Sequence, residues 1–181
     1  MNSLFITNHK FNLNVFLNET CKDAINLNDL IQSIQLTPHD FANTGEVGYV
    51  NGISSIMIDR IRDMEPHARP IHCTDLKRET VYVKDSNVWA KEDDRKTHLR
   101  KAVRIVANKN KDQVHPWRHQ NPNYEILDTP ECDKFFEYSN NVGKMVYYGY
   151  IALTGYIISF IAGFWVNGVS GFLLMSNFIM L

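Results

Sequence analysis

The chain has 181 residues, 44% of them hydrophobic, and its 19 Lys/Arg against 20 Asp/Glu leave a formal net charge of −1. That length holds one ordinary domain with its own core and an appendage. Three scattered cysteines, Cys21, Cys73 and Cys132, exclude a dense disulfide scaffold and fit a reducing compartment.

Residues Met1 to Lys10 lack a basic stretch followed by a long apolar one, so neither a secretory signal nor cleavage is expected. Val15, Phe16, Thr20 and Ala24 can line one face of an early helix ending near Asn26. Leu27, Leu30, Ile31 and Ile34 form the first strong helical stripe, with Asn26 or Asn28 as its cap and Pro38 as its stop. After Gly45 and Gly48, the residues Ile53, Ile56, Met57, Ile61 and Met64 predict an amphipathic helix, with Asp59, Arg60, Arg62 and Asp63 largely off its apolar stripe.

Past Pro66 and Pro70 the pattern turns to alternation. Ile71 to Thr74 and Thr80 to Lys84 are rich in β-branched and aromatic residues, which predicts a β-hairpin whose charged tip presents Lys77 and Arg78. Trp89 is expected to anchor the returning chain. Asp93 or Asp94 can cap a helix reaching about Asn108, with Leu99, Ala102, Val103 and Val106 facing inward and Arg95, Lys96, Arg100, Lys101 and Arg104 on its basic side. From Gln113 to Asn140 no period is sustained, which predicts irregular structure packed through Trp117, Tyr124, Phe135 and Phe136.

From Met145 to Leu181 there is no Lys, Arg, Asp, Glu or His. Met145 to Val166 is long enough for one transmembrane helix, with Tyr147, Tyr148, Tyr150 and Trp165 as interfacial anchors. Gly155, Ser159 and Gly163 recur at i, i+4 and i+8, a spacing that permits a homodimer. Lys144 flanks this segment on the module's side, which places the module in the cytosol. The domain reading is therefore a charged, water-soluble module over 1–143 and an apolar tail over 144–181, with a buried core helix as the alternative for the tail.

Charge is unevenly spread. Residues 60–118 carry fifteen Lys/Arg against nine Asp/Glu, whereas 119–143 hold Lys134 against Glu125, Asp128, Glu131, Asp133 and Glu137. A basic middle favours an anionic partner, nucleic acid or an acidic membrane surface, or else is a solvated face. His72 and Cys73 are neighbours on a strand and so point to opposite faces, which prevents a dyad between them. His115 and His119 have H-x3-H spacing, but Pro116 speaks against a continuous helix there, and no C-x2-C partner exists. No Gly-rich phosphate loop, H-E-x-x-H or G-x-S-x-G motif occurs. The expectation is a non-catalytic protein without cofactor or metal ligands.

The string Arg69-Pro-Ile-His-Cys-Thr-Asp-Leu-Lys-Arg78, with Val81 to Asp85 and Trp89, resembles the C-terminal domain of uncharacterised C2H2-zinc-finger-type proteins of mimivirus-like nucleocytoplasmic large DNA viruses. Phe16 to Ala24, Gly48 to Ser54 and the region from Trp117 to Pro122 extend the resemblance over roughly 13–140. It implies a DNA-associated viral protein, located in the host cytoplasm or a viral factory, and supplies no mechanism. The zinc finger that typically precedes the domain is absent here. The family also continues with charged helical sequence where this chain turns apolar after Gly143, so the tail is either a membrane anchor or the product of a shifted reading frame.

The fold expected is α+β: a mostly helical, winged-helix-like module with a β-hairpin, then a C-terminal hydrophobic helix. The function expected is a nucleic-acid-binding accessory protein, with or without a membrane tether, in which Arg60, Arg62, Arg69, Lys77, Arg78 and Lys84 contact phosphate. The rivals are a membrane-associated structural or interaction protein and an inactive truncated paralogue.

Overall fold

The computed structural model of the chain describes residues 12–75, 77–143 and 157–161. Among them the fold is α+β. The elements are α1 (Leu13–Val15) running into a π-helical turn (Phe16–Thr20), α2 (Leu27–Ser33), α3 (Pro38–Val47) and α4 (Tyr49–Arg62). After them come β1 (Ile71–Asp75), β2 (Thr80–Asp85), β3 (Val88–Lys91), α5 (Thr97–Asp112), α6 (Val114–Gln120) and α7 (Pro130–Gly143).

Pro38 opens a helix. Thr37 and Asp40 form a reciprocal capping box around it, and proline at the first helical position gives up only an N–H that would lack an intrahelical partner. The single residue Gly48, at φ 84°, then turns the chain from α3 into α4, a left-handed conformation that glycine adopts without a Cβ penalty. The expected stripe on α4 holds: Ile53, Met57 and Ile61 are buried, while Ile56 and Met64 pack against them half-buried.

The strands form a three-stranded antiparallel meander in the order β1-β2-β3. Val88 to Lys91 is an addition to the expected hairpin, and Trp89 lies on it opposite Lys84. Alternation gives the sheet two different faces. Ile71, Cys73, Val81 and Val83 share one core with Leu27, Ile53, Leu99 and Val103. His72, Lys84 and Trp89 occupy the opposite face, where the N-terminal segment covers them: Phe16 meets the His72 ring edge-on at 5.2 Å, and Lys22 accepts a hydrogen bond from the Lys84 ammonium at 2.5 Å.

The stretch expected to be irregular contains α6, a 3-10 turn (Pro122–Glu125) and α7. Pro116 and Pro130 both sit in first turns, where a missing N–H costs little. Aromatic packing draws these elements onto α3, with Phe41 6.1 Å from both Trp117 and Tyr138, and Trp117 5.7 Å from Tyr138. Gly45 lets α3 and α7 approach, because a Cβ there would lie 2.3 Å from the Tyr138 ring. Gly45→Val is therefore expected to cost about 3 kcal/mol or more through overpacking, measurable as a lower denaturant midpoint. An unchanged midpoint would mean that α7 does not pack on α3 in this way.

Residues 157–161 are helical, and Ile157, Ile158 and Ile161 are buried as members of the same core. They are the described part of the membrane helix expected at 145–166. The rest of that expected span, including Gly155 and Gly163 of the dimer motif, lies outside the described residues. Among the described residues no helix is long and apolar enough to cross a membrane.

Candidate nucleic-acid interface

The sheet fixes where the basic residues go. β1 runs up to the tip at 77–79, β2 descends, and β3 rises again until the Glu92 N–H donates to Val81 O at 2.8 Å. The chain thus enters α5 at the end of the sheet that carries the hairpin tip. Burial pushes the Cys73 thiol up, with the charges of Asp75 and Glu79 adding to the rise and that of Lys96 opposing it.

Helix α5 begins under two carboxylates. Glu92, itself buried, accepts from the Leu99 N–H at 2.8 Å and the His98 N–H at 3.3 Å, while Asp93 accepts from the Thr97 N–H at 2.9 Å. These bonds satisfy N–H groups that a helix start leaves without partners. The Thr97 hydroxyl, which donates to Asp93 at 2.7 Å, and then the Thr97 N–H hold the Asp93 carboxyl below the usual carboxylate range.

The inward side of α5 buries Leu99, Ala102, Val103, Val106, Ala107 and Asn110. The side toward solvent carries Lys101, Arg104, Asn108 and Lys111, spaced at three and four residues and hence aligned along one face. Helix α5 has five Lys/Arg against the single acid Asp112. One of the five is used internally: the Lys109 ammonium donates to the carbonyls of Ile31, Gln32 and Ile34 at 2.9 to 3.1 Å and so closes the C-terminal end of α2.

The six residues nominated as phosphate contacts divide into two groups. Arg60, Arg62, Lys77 and Arg78 are exposed. Arg62 pairs with Asp59 at 2.8 Å, and its guanidinium lies 5.3 Å from the centre of the Phe160 ring. The Arg78 guanidinium lies 3.9 Å from Asp75, whose carboxylate also accepts from the Arg78 N–H at 3.1 Å.

Arg69 and Lys84 are corrected to the interior. Arg69 is 8% and Lys84 5% exposed, and each ends on a backbone carbonyl: Arg69 Nε on Met64 O at 3.1 Å, Lys84 Nζ on Lys22 O. Buried cations of this kind hold chain segments together and are shielded from a large anion. Among the described residues Arg60, Lys77, Arg95, Lys101 and Lys111 have no ion pair.

A second polar cluster lies beneath the N-terminal segment. His72 and Cys73 do point to opposite faces, and His72 Nε2 instead meets Cys21 Sγ at 3.5 Å. Its ring is also 5.4 Å from Trp89. Burial, with the Arg69 guanidinium adding to it, brings the His72 pKa down to about 4, while burial pushes the Cys21 thiol up against the pull of Lys84. The pair is therefore an uncharged thiol and an uncharged imidazole, sealed from solvent, the opposite of the exposed thiolate that nucleophilic chemistry needs. Its role is to join the N-terminal segment to the sheet.

His115 and His119 both lie on α6, so Pro116 does not interrupt the helix that carries them. Among the described residues no group of three His, Cys, Asp or Glu side chains gathers to hold a metal ion. The chain matches no family model, no curated protein and no solved structure.

Proposed function

We propose that this chain is a non-catalytic nucleic-acid-binding accessory protein that grips phosphate along the solvent face of α5, with the β1–β2 tip as a second contact. The observation that carries this reading is the α5 face itself. Lys101, Arg104 and Lys111 recur along one exposed line, and neither Lys101 nor Lys111 is neutralised by a carboxylate among the described residues. Exposed cations in a row suit the regular spacing of backbone phosphates, to which they add affinity without base specificity.

The order of α3, the Gly48 joint, α4 and then a hairpin supports a winged-helix-like reading, with a joint shorter than the usual helix-turn-helix turn. Within that winged-helix-like reading, α4 is the weaker contact element. It buries Ile53, Met57, Ile58 and Ile61, and its exposed side sets Asp59 beside Arg60 and Arg62. The contact set thus becomes Lys101, Arg104 and Lys111, supported by Lys77, Arg78 and Arg60. Ile157, Ile158 and Ile161 are buried in the core of the module, which speaks against a membrane tether formed by the same stretch of chain.

The test is fluorescence anisotropy of the full chain with labelled duplex DNA, single-stranded DNA and RNA over a salt series. Three to five phosphate contacts on duplex DNA predict a log–log salt slope of about −3 to −5. Absence of binding to all three at low salt would overturn the proposal and favour a membrane-associated interaction protein.

A further inference from the structure

We infer that a second surface, formed by the turn at 126–127 and the adjoining face of α7, docks a basic amphipathic protein segment. This surface lies outside the nucleic-acid interface proposed above and does not depend on it.

Three large apolar side chains are turned outward here: Ile126 is 55%, Leu127 76% and Phe136 63% exposed. Ring contacts and hydrogen bonds tie the turn that carries Ile126 and Leu127 to the helix that carries Phe136. Tyr124 packs on Phe135 at 5.1 Å, Phe135 touches Phe136 at 6.0 Å, and the Thr129 hydroxyl donates to Ile126 O at 2.7 Å while accepting from the Cys132 N–H at 3.2 Å. The turn is thereby fixed against the first turn of α7. Asp128, at φ 63°, takes a left-handed conformation uncommon for a non-glycine residue, and Leu127 stands out just before it. Clustered exposed apolar groups with a polar border are a recurring mark of protein-binding surfaces.

The border selects the partner. Asp128 adjoins Leu127, Asp133 lies one turn before Phe136 on the same face of α7, and Glu137 follows it; all three are exposed and none has an ion pair among the described residues. Glu125 is also acidic but is engaged by Arg118 at 3.7 Å. Lys134 is the one cation between residues 119 and 143. An acidic rim around apolar anchors complements a segment with apolar residues on one side and Lys/Arg beside them. The same rim repels anionic lipid, and a two-fold contact between copies would set acid against acid.

The experiment measures binding of a fluorescent Leu/Lys amphipathic model helix to the full chain in neutral detergent, with a Leu/Glu helix of equal length for comparison. The paired Leu127→Ser and Phe136→Ser substitutions should weaken the Leu/Lys helix at least tenfold. The pair Asp133→Asn and Glu137→Gln should weaken it several-fold and flatten its salt dependence. This second pair retains every apolar group, so it decides the question even if the serine form fails to fold.

Equal binding of the Leu/Lys helix by wild type and both variants would overturn the inference, as would equal affinity for the Leu/Glu helix. A dimer that dissociates on the serine substitutions would reassign the patch to a contact between copies. Loss of vesicle flotation with peptide binding unchanged would reassign it to lipid. Either result overturns the inference.

Discussion

Removal of residues 144–181 is expected to unfold the module or bring it near its limit of stability, although all seven named helices and the sheet lie before residue 144. The reason is the position of three isoleucines. Ile157 is 0%, Ile158 1% and Ile161 5% exposed, and they belong to the same core as Leu27, Met57 and Leu99. Full burial of an isoleucine is worth about 1.5 to 3 kcal/mol, so three contribute about 5 to 9 kcal/mol, a large share of what holds a domain of this size together. The substitutions Ile157→Ala and Ile158→Ala should each cost about 2 to 5 kcal/mol, through lost transfer energy and the cavity left behind. Guanidinium unfolding of the full chain, the 1–143 fragment and the two alanine variants is the measurement. A fragment with the midpoint of the full chain would show that these residues contribute nothing to the core.

Acid should weaken the fold through His72 in particular. Its pKa is about 4 in the folded chain, because burial disfavours the charged ring and Arg69 repels it, against about 6.5 in an unfolded chain. The unfolded state therefore takes up the proton first as pH falls. Stability from this group is complete above about 6.5 and is lost progressively down to about 4, amounting to at most about 3 kcal/mol.

The loss should be felt first where His72 meets Phe16 and Cys21, so the N-terminal segment should become protease-sensitive before the rest. In His72→Gln, which cannot gain a charge, the fall in midpoint between pH 7 and pH 4 should be shallower than in wild type. The substitution will also lower the midpoint at neutral pH, so the slope is the informative quantity. Parallel slopes for the two proteins would mean that other groups account for the acid sensitivity.

The sequence made some of this architecture legible and concealed the rest for identifiable reasons. Helix α5 and the strands β1 and β2 follow directly from period: Leu99, Ala102, Val103 and Val106 at helical spacing, Val81 and Val83 at alternating positions. Helix α3 was hidden because Pro38 reads as a stop when it follows Ile34, whereas Thr37 and Asp40 on either side make it a start. Helices α6 and α7 were hidden by Pro116, Pro130 and a crowd of aromatics, whose helical order depends on packing against Phe41 and Gly45, far away in the chain.

The candidate site was half legible for a similar reason. Exposure of Lys77 and Arg78 follows from a charged turn, and the basic side of α5 follows from its period. Nothing local distinguishes Lys84 from a surface lysine. Only the N-terminal segment, crossing the outer face of the sheet 62 residues earlier, offers the carbonyl of Lys22 and closes over it. The meeting of Cys21 and His72 depends on the same crossing, which no motif spacing records.

Whether anions bind at the α5 face is tested most directly by the salt slope of duplex DNA binding for two paired variants. Lys101→Ala with Lys111→Ala should reduce the magnitude of the slope by about 2, one unit for each lost phosphate contact, and weaken binding uniformly across sequences. Lys77→Ala with Arg78→Ala should produce a smaller reduction. A slope unchanged by the α5 pair, with the full effect in the hairpin pair, would contradict the assignment of α5 as the principal contact.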